Sequence, residues 1–214
     1  MEVTEFDNLG YKIIRNLYNP ILLKLPMPGV LGKYSYRSSN LNNFKFKEED
    51  SQVPGSIGCY THPFFELAYD EIKPKIEQAI GEELYKTFYY NRFYFSGQKL
   101  QEHKDRKAAE VVCSIHIEST IEEQWPFWIK TLDDNVVSIK LNPGDGVIYK
   151  GAECSHWRHS MPGDGYYHQI VMCFVLANGN YAGFAGDGGL SRREWTMIQT
   201  STGELRPYTD RMKK

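Results

Sequence analysis

The sequence lacks the features of membrane, fibrous and largely disordered proteins. No stretch of its 214 residues approaches the ~18 consecutive apolar residues that a membrane-spanning helix needs. Apolar residues make up 41% and charged residues 24% of the chain, which is close to the globular average and excludes a coiled coil or a collagen. A chain of this length buries ~70% of its unfolded surface, so it needs neither a metal nor a disulfide merely to fold.

The chain also lacks a surplus of basic charge. Its 25 Lys and Arg residues against 27 Asp and Glu residues give a formal net charge of −2. A phosphate backbone is bound mainly through clustered basic residues, so we expect no nucleic-acid partner and no membrane partner. The predicted partner is a small-molecule or peptide substrate, and the sequence makes no prediction of oligomeric state.

Cysteines are few and widely separated. The four cysteines, Cys59, Cys113, Cys154 and Cys173, form no CxxC pair, and two of them lie within apolar runs as small core residues do. The first eight residues contain three acidic residues and no apolar run, so we expect no secretory signal there. These features predict a reduced, cytoplasmic protein.

Aromatic residues are abundant, at 14%, and aromatic residues favour strands. The clearest helical pattern runs from Pro63 to Ile80, with Pro74 as a possible kink and Gly81 as a stop. Beyond it, the pattern changes to the period of two that is typical of strands. The predicted strands are Thr87–Phe95, Glu110–Ile117, Trp125–Lys130, Val136–Leu141, Gly146–Tyr149 and Gln169–Leu176.

Short, evenly spaced strands after a helical start predict an α+β fold with a jelly roll and N-terminal helices packed on one sheet. We expect a single domain over residues 1–214. Residues 11–81 would supply helical support, residues 87–177 the jelly-roll core, and residues 178–214 a glycine-rich lid or tail.

The motif with the clearest chemistry is His103-Lys104-Asp105. Residues i and i+2 of an extended chain point to the same side, so an imidazole and a carboxylate can hold one metal ion together. His156, 51 residues beyond Asp105, is the natural third ligand. Two histidines and one carboxylate form the facial triad of non-haem iron(II) oxygenases. His103, Asp105 and His156 are therefore the predicted metal ligands and catalytic residues.

Two alternatives remain open for this motif. A His-x-Asp triplet alone is common and is often only a surface hydrogen bond. His159 also competes with His156 for the place of the third ligand.

The surrounding motifs resemble Fe(II)/2-oxoglutarate-dependent oxygenases of the prolyl-4-hydroxylase-like type, in particular small members from marine bacteria and their phages. The similarity extends from Tyr89 to Tyr181, and the helix and strand between Pro63 and Phe95 fit the element that precedes the metal motif in that family. The matching segments are HKDR (103–106), WP (125–126), NPGDGVIYKG (142–151), HWR (156–158), the strand 169–174 and ANG (177–179).

The resemblance implies a double-stranded β-helix that uses Fe(II), 2-oxoglutarate as co-substrate and O2, with ascorbate as a candidate reductant. If the chain is phage-encoded, its compartment is the host cytoplasm. Related halogenases lack the carboxylate ligand, so Asp105 favours hydroxylation.

One departure from the family concerns the far carboxylate of 2-oxoglutarate. The family usually places Arg or Lys about ten residues after the distal histidine, whereas no Lys or Arg occurs between His159 and Ser191. A buried dicarboxylate still needs a cation or several donors. The candidates for binding the co-substrate are Arg158, which we favour for its fork geometry, then His168, Arg106 and Arg92, with Tyr94 or Tyr90 assisting.

The predicted activity is that of an iron(II)- and 2-oxoglutarate-dependent dioxygenase that hydroxylates an unidentified substrate, with a prolyl residue or peptide as the family default. Two alternatives are kept. A non-catalytic jelly-roll binding or structural module would explain the strands but not the metal motif. A cupin-type iron dioxygenase would need no 2-oxoglutarate and hence no cation on the strand after the distal histidine.

Overall fold

The computed structural model describes residues 4–24 and 52–186, together with two short strands at 197–199 and 205–207. The α-helices of these ranges are α1 (Glu5–Leu9) and α2 (Glu66–Ile80). Single turns of 3-10 helix occur at Pro20–Leu23, Pro63–Phe65, Lys107–Ala109 and Ala182–Phe184.

Two antiparallel sheets form the body of the molecule. The larger sheet has the order β1 (Tyr11–Ile14), β8 (Gly146–Lys150), β5 (Val111–Ser119), β10 (Tyr166–Leu176), β3 (Leu84–Phe95) and β2 (Ile57–Tyr60). The smaller sheet has the order β4 (Leu100–His103), β9 (His156–Arg158), β6 (Phe127–Lys130) and β7 (Val136–Ile139). A separate pair joins β11 (Met197–Gln199) to β12 (Leu205–Pro207).

The eight strands from β3 to β10 alternate between the two sheets as in a jelly roll, except that β6 and β7 form a hairpin within the smaller sheet. Inward-facing residues of both sheets, among them Val112, Phe127 and Val147, pack into one apolar cluster between the sheets. The outer face of the larger sheet packs against α2 in a second cluster that includes Ile72, Ile76 and residues of β5 and β10. The predicted α+β jelly roll, with helices packed on one sheet, is confirmed.

Helix α2 is continuous through Pro74, so the kink or break that proline allows does not occur. Pro74 is on the exposed side of the helix, where the carbonyl that loses its donor is open to water. The helix ends at Gly81, whose φ of 77° is left-handed and suits glycine.

The segment 11–81 holds more than helices. β1 pairs with β8, and β2 pairs with β3, so this segment adds a strand to each edge of the larger sheet. The proposed lid over 178–214 lies largely outside the described residues, and the single-domain boundaries stay a prediction. All four cysteines are buried thiols. Within the described ranges, no helix is long and apolar enough to cross a membrane.

Candidate metal centre

Strands β4 and β9 bring the three predicted ligands together at one end of the smaller sheet. His103, the last residue of β4, lies directly opposite His156, the first residue of β9. Asp105 follows β4, and its backbone N–H donates to the carbonyl of Gly151 at 2.8 Å. Side chains about fifty residues apart in sequence therefore meet because of the strand pairing.

The ligand atoms converge on one point. Asp105 Oδ1 lies 3.5 Å from His103 Nε2, and Asp105 Oδ2 lies 3.4 Å from His156 Nε2. One atom from each of the three side chains lies within 4.8 Å of the others. Ligands about 2.1 Å from one ion and at right angles to each other are about 3 Å apart, so the two distances between Asp105 and the histidines need only a small contraction to bind a metal. Two imidazoles and a carboxylate are a suitable donor set for Fe(II).

Backbone carbonyls hold both histidines in the tautomer that a metal requires. His103 Nδ1 lies 2.8 Å from the carbonyl oxygen of Gln101, and His156 Nδ1 lies 3.0 Å from that of Cys154. A carbonyl oxygen only accepts, so each Nδ1 carries the proton and each Nε2 keeps its lone pair. Such bonds orient ligating histidines and strengthen their basicity.

The two histidines differ electrostatically. Burial lowers the pKa of His156, and this effect outweighs the upward effect of the Asp105 carboxylate. Burial also lowers the pKa of His103, but hydrogen bonding to Asp105 and Gln101 prevails and the net shift is upward. His156 is therefore the ligand more readily kept neutral and able to bind a metal at acidic pH.

Gly151 creates the space for the carboxylate ligand. A Cβ atom at this position would lie 2.7 Å from Asp105 Oδ2 and 2.5 Å from the carbonyl oxygen of Ala109. No larger residue fits without displacing Asp105 or the backbone. Sequence reasoning noted Gly151 only as the end of a matching motif, and this close approach is its physical role.

A cavity of about 180 Å³ extends from the triad into the space between the sheets. The aromatic residues Tyr60, Phe88 and Tyr90 line it together with the ligands. Its polar lining beyond the ligands includes Gln52, Arg92, Tyr94, Ser114 and Gln169. Ser114 and Gln169 were not predicted as cavity residues from the sequence. For Gln169 the reason is that β10 is buried on both faces, so its pattern does not show which side chains face inward.

Gln52 occupies the space in front of one ligand. Its side-chain amide lies 2.8 Å from His103 Nε2, and its Oε1 accepts from Arg92 at 3.0 Å. Binding of a metal by His103 therefore requires the Gln52 amide to move aside.

Arg158 is buried behind the cavity, with 2% of its surface exposed. Its guanidinium donates to the carbonyl of Trp125 at 2.8 Å, to the Tyr167 hydroxyl at 3.2 Å and to Gln169 Oε1 at 3.1 Å. It stacks on the rings of Trp125 and Tyr167, 4.8 and 4.6 Å from their centroids. No carboxylate among the described residues pairs with it, and its buried Nε has no partner. A buried guanidinium without a counter-ion is costly and favours an anionic ligand.

His168 lies on the opposite face of β10 from the cavity. It stacks on Phe93 at 3.7 Å, next to the cluster that packs on α2. It is fully buried, and burial lowers its pKa to about 3. The residues of this strand that line the cavity are Gln169, Val171 and Cys173, and His168 is not among them.

The remaining predicted residues lie near the mouth or in the wall of the cavity. Arg106 is exposed, donates to the Tyr60 hydroxyl at 3.0 Å and stacks on Phe88 at 4.2 Å. Tyr94 is fully buried in the cavity wall, and its hydroxyl accepts from Arg92 at 3.0 Å.

His159 points away from the other ligands. It is exposed, and its Nε2 lies 3.4 Å from the indole nitrogen of Trp157 on the outer surface of the smaller sheet. The structure thus brings His156, and not His159, to His103 and Asp105.

Comparison with known proteins adds to this geometry. No protein-family model and no curated protein sequence matches the chain. Solved structures do match. EctD from S. alaskensis has a TM-score of 0.60 at 10% identity over 85% of this chain and 78% of EctD. HygX from Streptomyces hygroscopicus, with nickel and 2-oxoglutarate bound, has a TM-score of 0.57 at 12% identity over 95% of this chain and 92% of HygX. A prolyl-4-hydroxylase from Pseudomonas putida has a TM-score of 0.53 at 12% identity over 79% and 95%.

The chain has the fold of the Fe(II)/2-oxoglutarate oxygenases. The resemblance indicated by the sequence motifs is confirmed at that level. A His-Asp-His cluster that could hold a metal lies between β4 and β9 of this fold.

Proposed function

We propose that the protein is an Fe(II)- and 2-oxoglutarate-dependent dioxygenase in which His103, Asp105 and His156 hold the metal. The observation that carries this proposal is the convergence of both Nε2 atoms on the two oxygens of one carboxylate. The backbone bonds at both Nδ1 atoms orient the lone pairs toward that same point. A surface His-Asp hydrogen bond would need neither the second histidine nor the space that Gly151 provides.

Arg158 supports the 2-oxoglutarate part of the proposal. Its buried charge lies on β9, two residues after His156, where it faces the same space between the sheets. A dicarboxylate in the cavity would supply the anion that the described residues do not. This feature favours the 2-oxoglutarate enzyme over a cupin-type iron dioxygenase, which needs no such charge.

Iron held by His103, Asp105 and His156 would, with 2-oxoglutarate and O2, supply the oxidising power for hydroxylation, and 2-oxoglutarate would be converted to succinate and CO2. The protein holds the ligands, orients the co-substrate and limits access of water. The carbonyls of Gln101 and Cys154 keep both imidazoles fixed as ligands. The apolar cluster between the sheets shields the inner end of the cavity.

For the substrate, we propose a prolyl residue or peptide as the first class to test. One structural neighbour is a prolyl hydroxylase in complex with a peptide fragment from Trichoplax adhaerens, with a TM-score of 0.56. The aromatic wall formed by Tyr60, Phe88 and Tyr90 can pack against a ring such as that of proline. HygX with hygromycin B bound shows that a small molecule is an equally valid class for this fold.

The test is anaerobic titration of the purified protein with Fe(II) and then 2-oxoglutarate. We expect a weak visible charge-transfer band that requires both additions, and succinate on admission of air. A protein that binds iron but gives no 2-oxoglutarate-dependent band would be the cupin-type alternative. A protein that binds no metal would be a jelly-roll binding module.

A further inference from the structure

Gln169 connects the buried arginine to the cavity. It lies on β10 with 4% of its surface exposed, and it lines the cavity together with Val171 and Cys173 of the same strand face. Its neighbours across the larger sheet are Arg92 on β3 and His116 on β5.

Arg158 determines which way the Gln169 amide points. Arginine has only donors, so the atom that it contacts at 3.1 Å must be the carbonyl oxygen of the amide. The NH2 end is then directed away from Arg158. In the part of the chain that the structure describes, no protein group accepts from it. Gln169 therefore leaves two N–H donors for a molecule in the cavity.

Arg158 itself does not line the cavity and is held in place on three sides. The carbonyl of Trp125, the Tyr167 hydroxyl and the stacked rings fix its plane. Its charge reaches the cavity through Gln169, whose amide dipole it polarises because each hydrogen bond in a chain strengthens the next.

Ser114 supplies a second unused donor nearby. Its hydroxyl is buried without a partner among the described residues, and the residue lines the cavity. Ser114 on β5 lies opposite Val171, two residues along β10 from Gln169. Two neutral donors and a charge behind one of them form a site for a carboxylate.

We propose that Gln169, oriented by Arg158, is the specificity-determining residue that binds the far carboxylate of 2-oxoglutarate. This inference rests on the proposed function. It assigns the hydrogen-bond donor to Gln169 on β10 and the positive charge to Arg158 on β9. Two residues would then bind the far carboxylate, where one basic residue usually does so. Arg158 is then a positioning residue.

The test compares two ligands that differ only at the far end. 2-Oxopentanoate keeps the 2-oxo acid group that binds the metal and lacks the far carboxylate. With Mn(II) in place of iron, the dissociation constants of 2-oxoglutarate and 2-oxopentanoate are measured by calorimetry, without turnover. We expect the wild type to prefer 2-oxoglutarate at least about tenfold, as charge-assisted hydrogen bonds would give.

Gln169→Met keeps the length of the side chain and removes its donors. We expect the ratio of the dissociation constants of 2-oxopentanoate and 2-oxoglutarate to fall close to one, while the affinity for 2-oxopentanoate changes little. Gln124→Met is the matched control, since Gln124 is exposed, does not line the cavity and donates to Asn142 Oδ1. It should keep the full preference.

Gln169→Glu is a second variant, which tests the inference even if Gln169→Met fails to fold. The new carboxylate pairs with Arg158, so the melting temperature of the ligand-free protein should not fall. It also repels the ligand carboxylate, so 2-oxoglutarate should bind more weakly than 2-oxopentanoate.

The outcomes separate this inference from the proposed function. A wild type that binds neither 2-oxo acid with Mn(II) would contradict the proposed function. If the wild type prefers 2-oxoglutarate and Gln169→Met keeps that preference, an arginine binds the carboxylate directly and the role of Gln169 is wrong. A Gln169→Glu protein that is stable and still prefers 2-oxoglutarate would overturn it as well.

Discussion

Strands β9 and β10 each present one set of side chains to the space between the sheets and the alternate set to the other face. On the inner face are His156 and Gln169, which line the cavity, and Arg158, which lies behind the cavity and donates to Gln169. On the outer faces are His159, exposed beside Trp157, and His168, buried against Phe93. Residues of similar chemistry, one position or a few apart, thus have different surroundings.

The comparison shows that an unpartnered polar group means different things on the two faces. Within the ranges that the structure describes, Arg158 Nε and Ser114 Oγ lack hydrogen-bond partners and lie beside a cavity that can hold a ligand. Both ring nitrogens of His168 also lack partners within these ranges, but they lie next to a packed apolar cluster. We interpret the first as part of the proposed binding site, whereas the second is a cost to stability that the packing must offset.

The largest expected effect separates His156 from His159. His156→Ala should abolish succinate formation and weaken Mn(II) binding at least about a hundredfold, since even residues behind a ligand can cost up to that factor. His159→Ala should change Mn(II) affinity less than about twofold, because its side chain is on the outer surface. Mn(II) titration of both variants measures this. The reverse order of effects would show that the distal ligand is misassigned.

The next effect separates Arg158 and His168, the two residues that the sequence ranked first for the far carboxylate. Arg158→Gln removes the charge and should weaken 2-oxoglutarate binding at least about tenfold, while Mn(II) still binds. His168→Leu should leave 2-oxoglutarate affinity within about twofold, because His168 faces away from the cavity. Titration of the visible charge-transfer band compares them. Normal 2-oxoglutarate binding by Arg158→Gln would shift attention to Arg92.

A smaller effect concerns stability at acidic pH. Burial lowers the pKa of His168 to about 3, below its value of 6.5 when unfolded. As the pH falls, the unfolded chain therefore takes up a proton before the folded chain does. The contribution of His168 to the free energy of unfolding, which is present above pH 6.5, is lost as the pH falls toward 3. Between pH 7 and pH 5 this histidine accounts for about 2 kcal/mol of that loss.

His168→Leu removes this titration, so its free energy of unfolding should depend less on pH than that of the wild type. His116, whose pKa burial lowers to about 4, still titrates and keeps part of the dependence. Urea unfolding at pH 7 and pH 5 measures both slopes. Equal slopes for wild type and variant would contradict an uncharged, buried His168.

The sequence allowed much of the barrel to be predicted. The alternation in β5, with Val111, Cys113, Ile115 and Ile117 on one face, matches the side that packs against α2. β4 and β9 escaped prediction because they are only four and three residues long, and the inward positions of β9 carry the polar residues His156 and Arg158. β1 was hidden in a segment whose four residues are all half-buried.

The site was predictable where a motif fixes it and not where it depends on strand phase. His103, Asp105 and His156 stand in segments whose spacing carries the chemistry. β10 is buried on both faces, so apolar residues occur at even and odd positions and do not reveal which of His168 and Gln169 faces inward. A register shift against β5 falls between these two residues.

The smallest expected effect is that of pH on the preference for 2-oxoglutarate over 2-oxopentanoate, which we expect to be absent. Arginine stays charged and glutamine does not titrate at any pH of interest, and His116, with its pKa near 4, is neutral above pH 6. The preference for 2-oxoglutarate over 2-oxopentanoate should therefore be constant between pH 6 and pH 8.5. The ratio is the informative quantity, because protonation of the metal ligands weakens both 2-oxo acids alike and cancels. A ratio that falls as the pH rises would indicate a histidine at the far carboxylate, and with it a rotation of β10 relative to the faces described above.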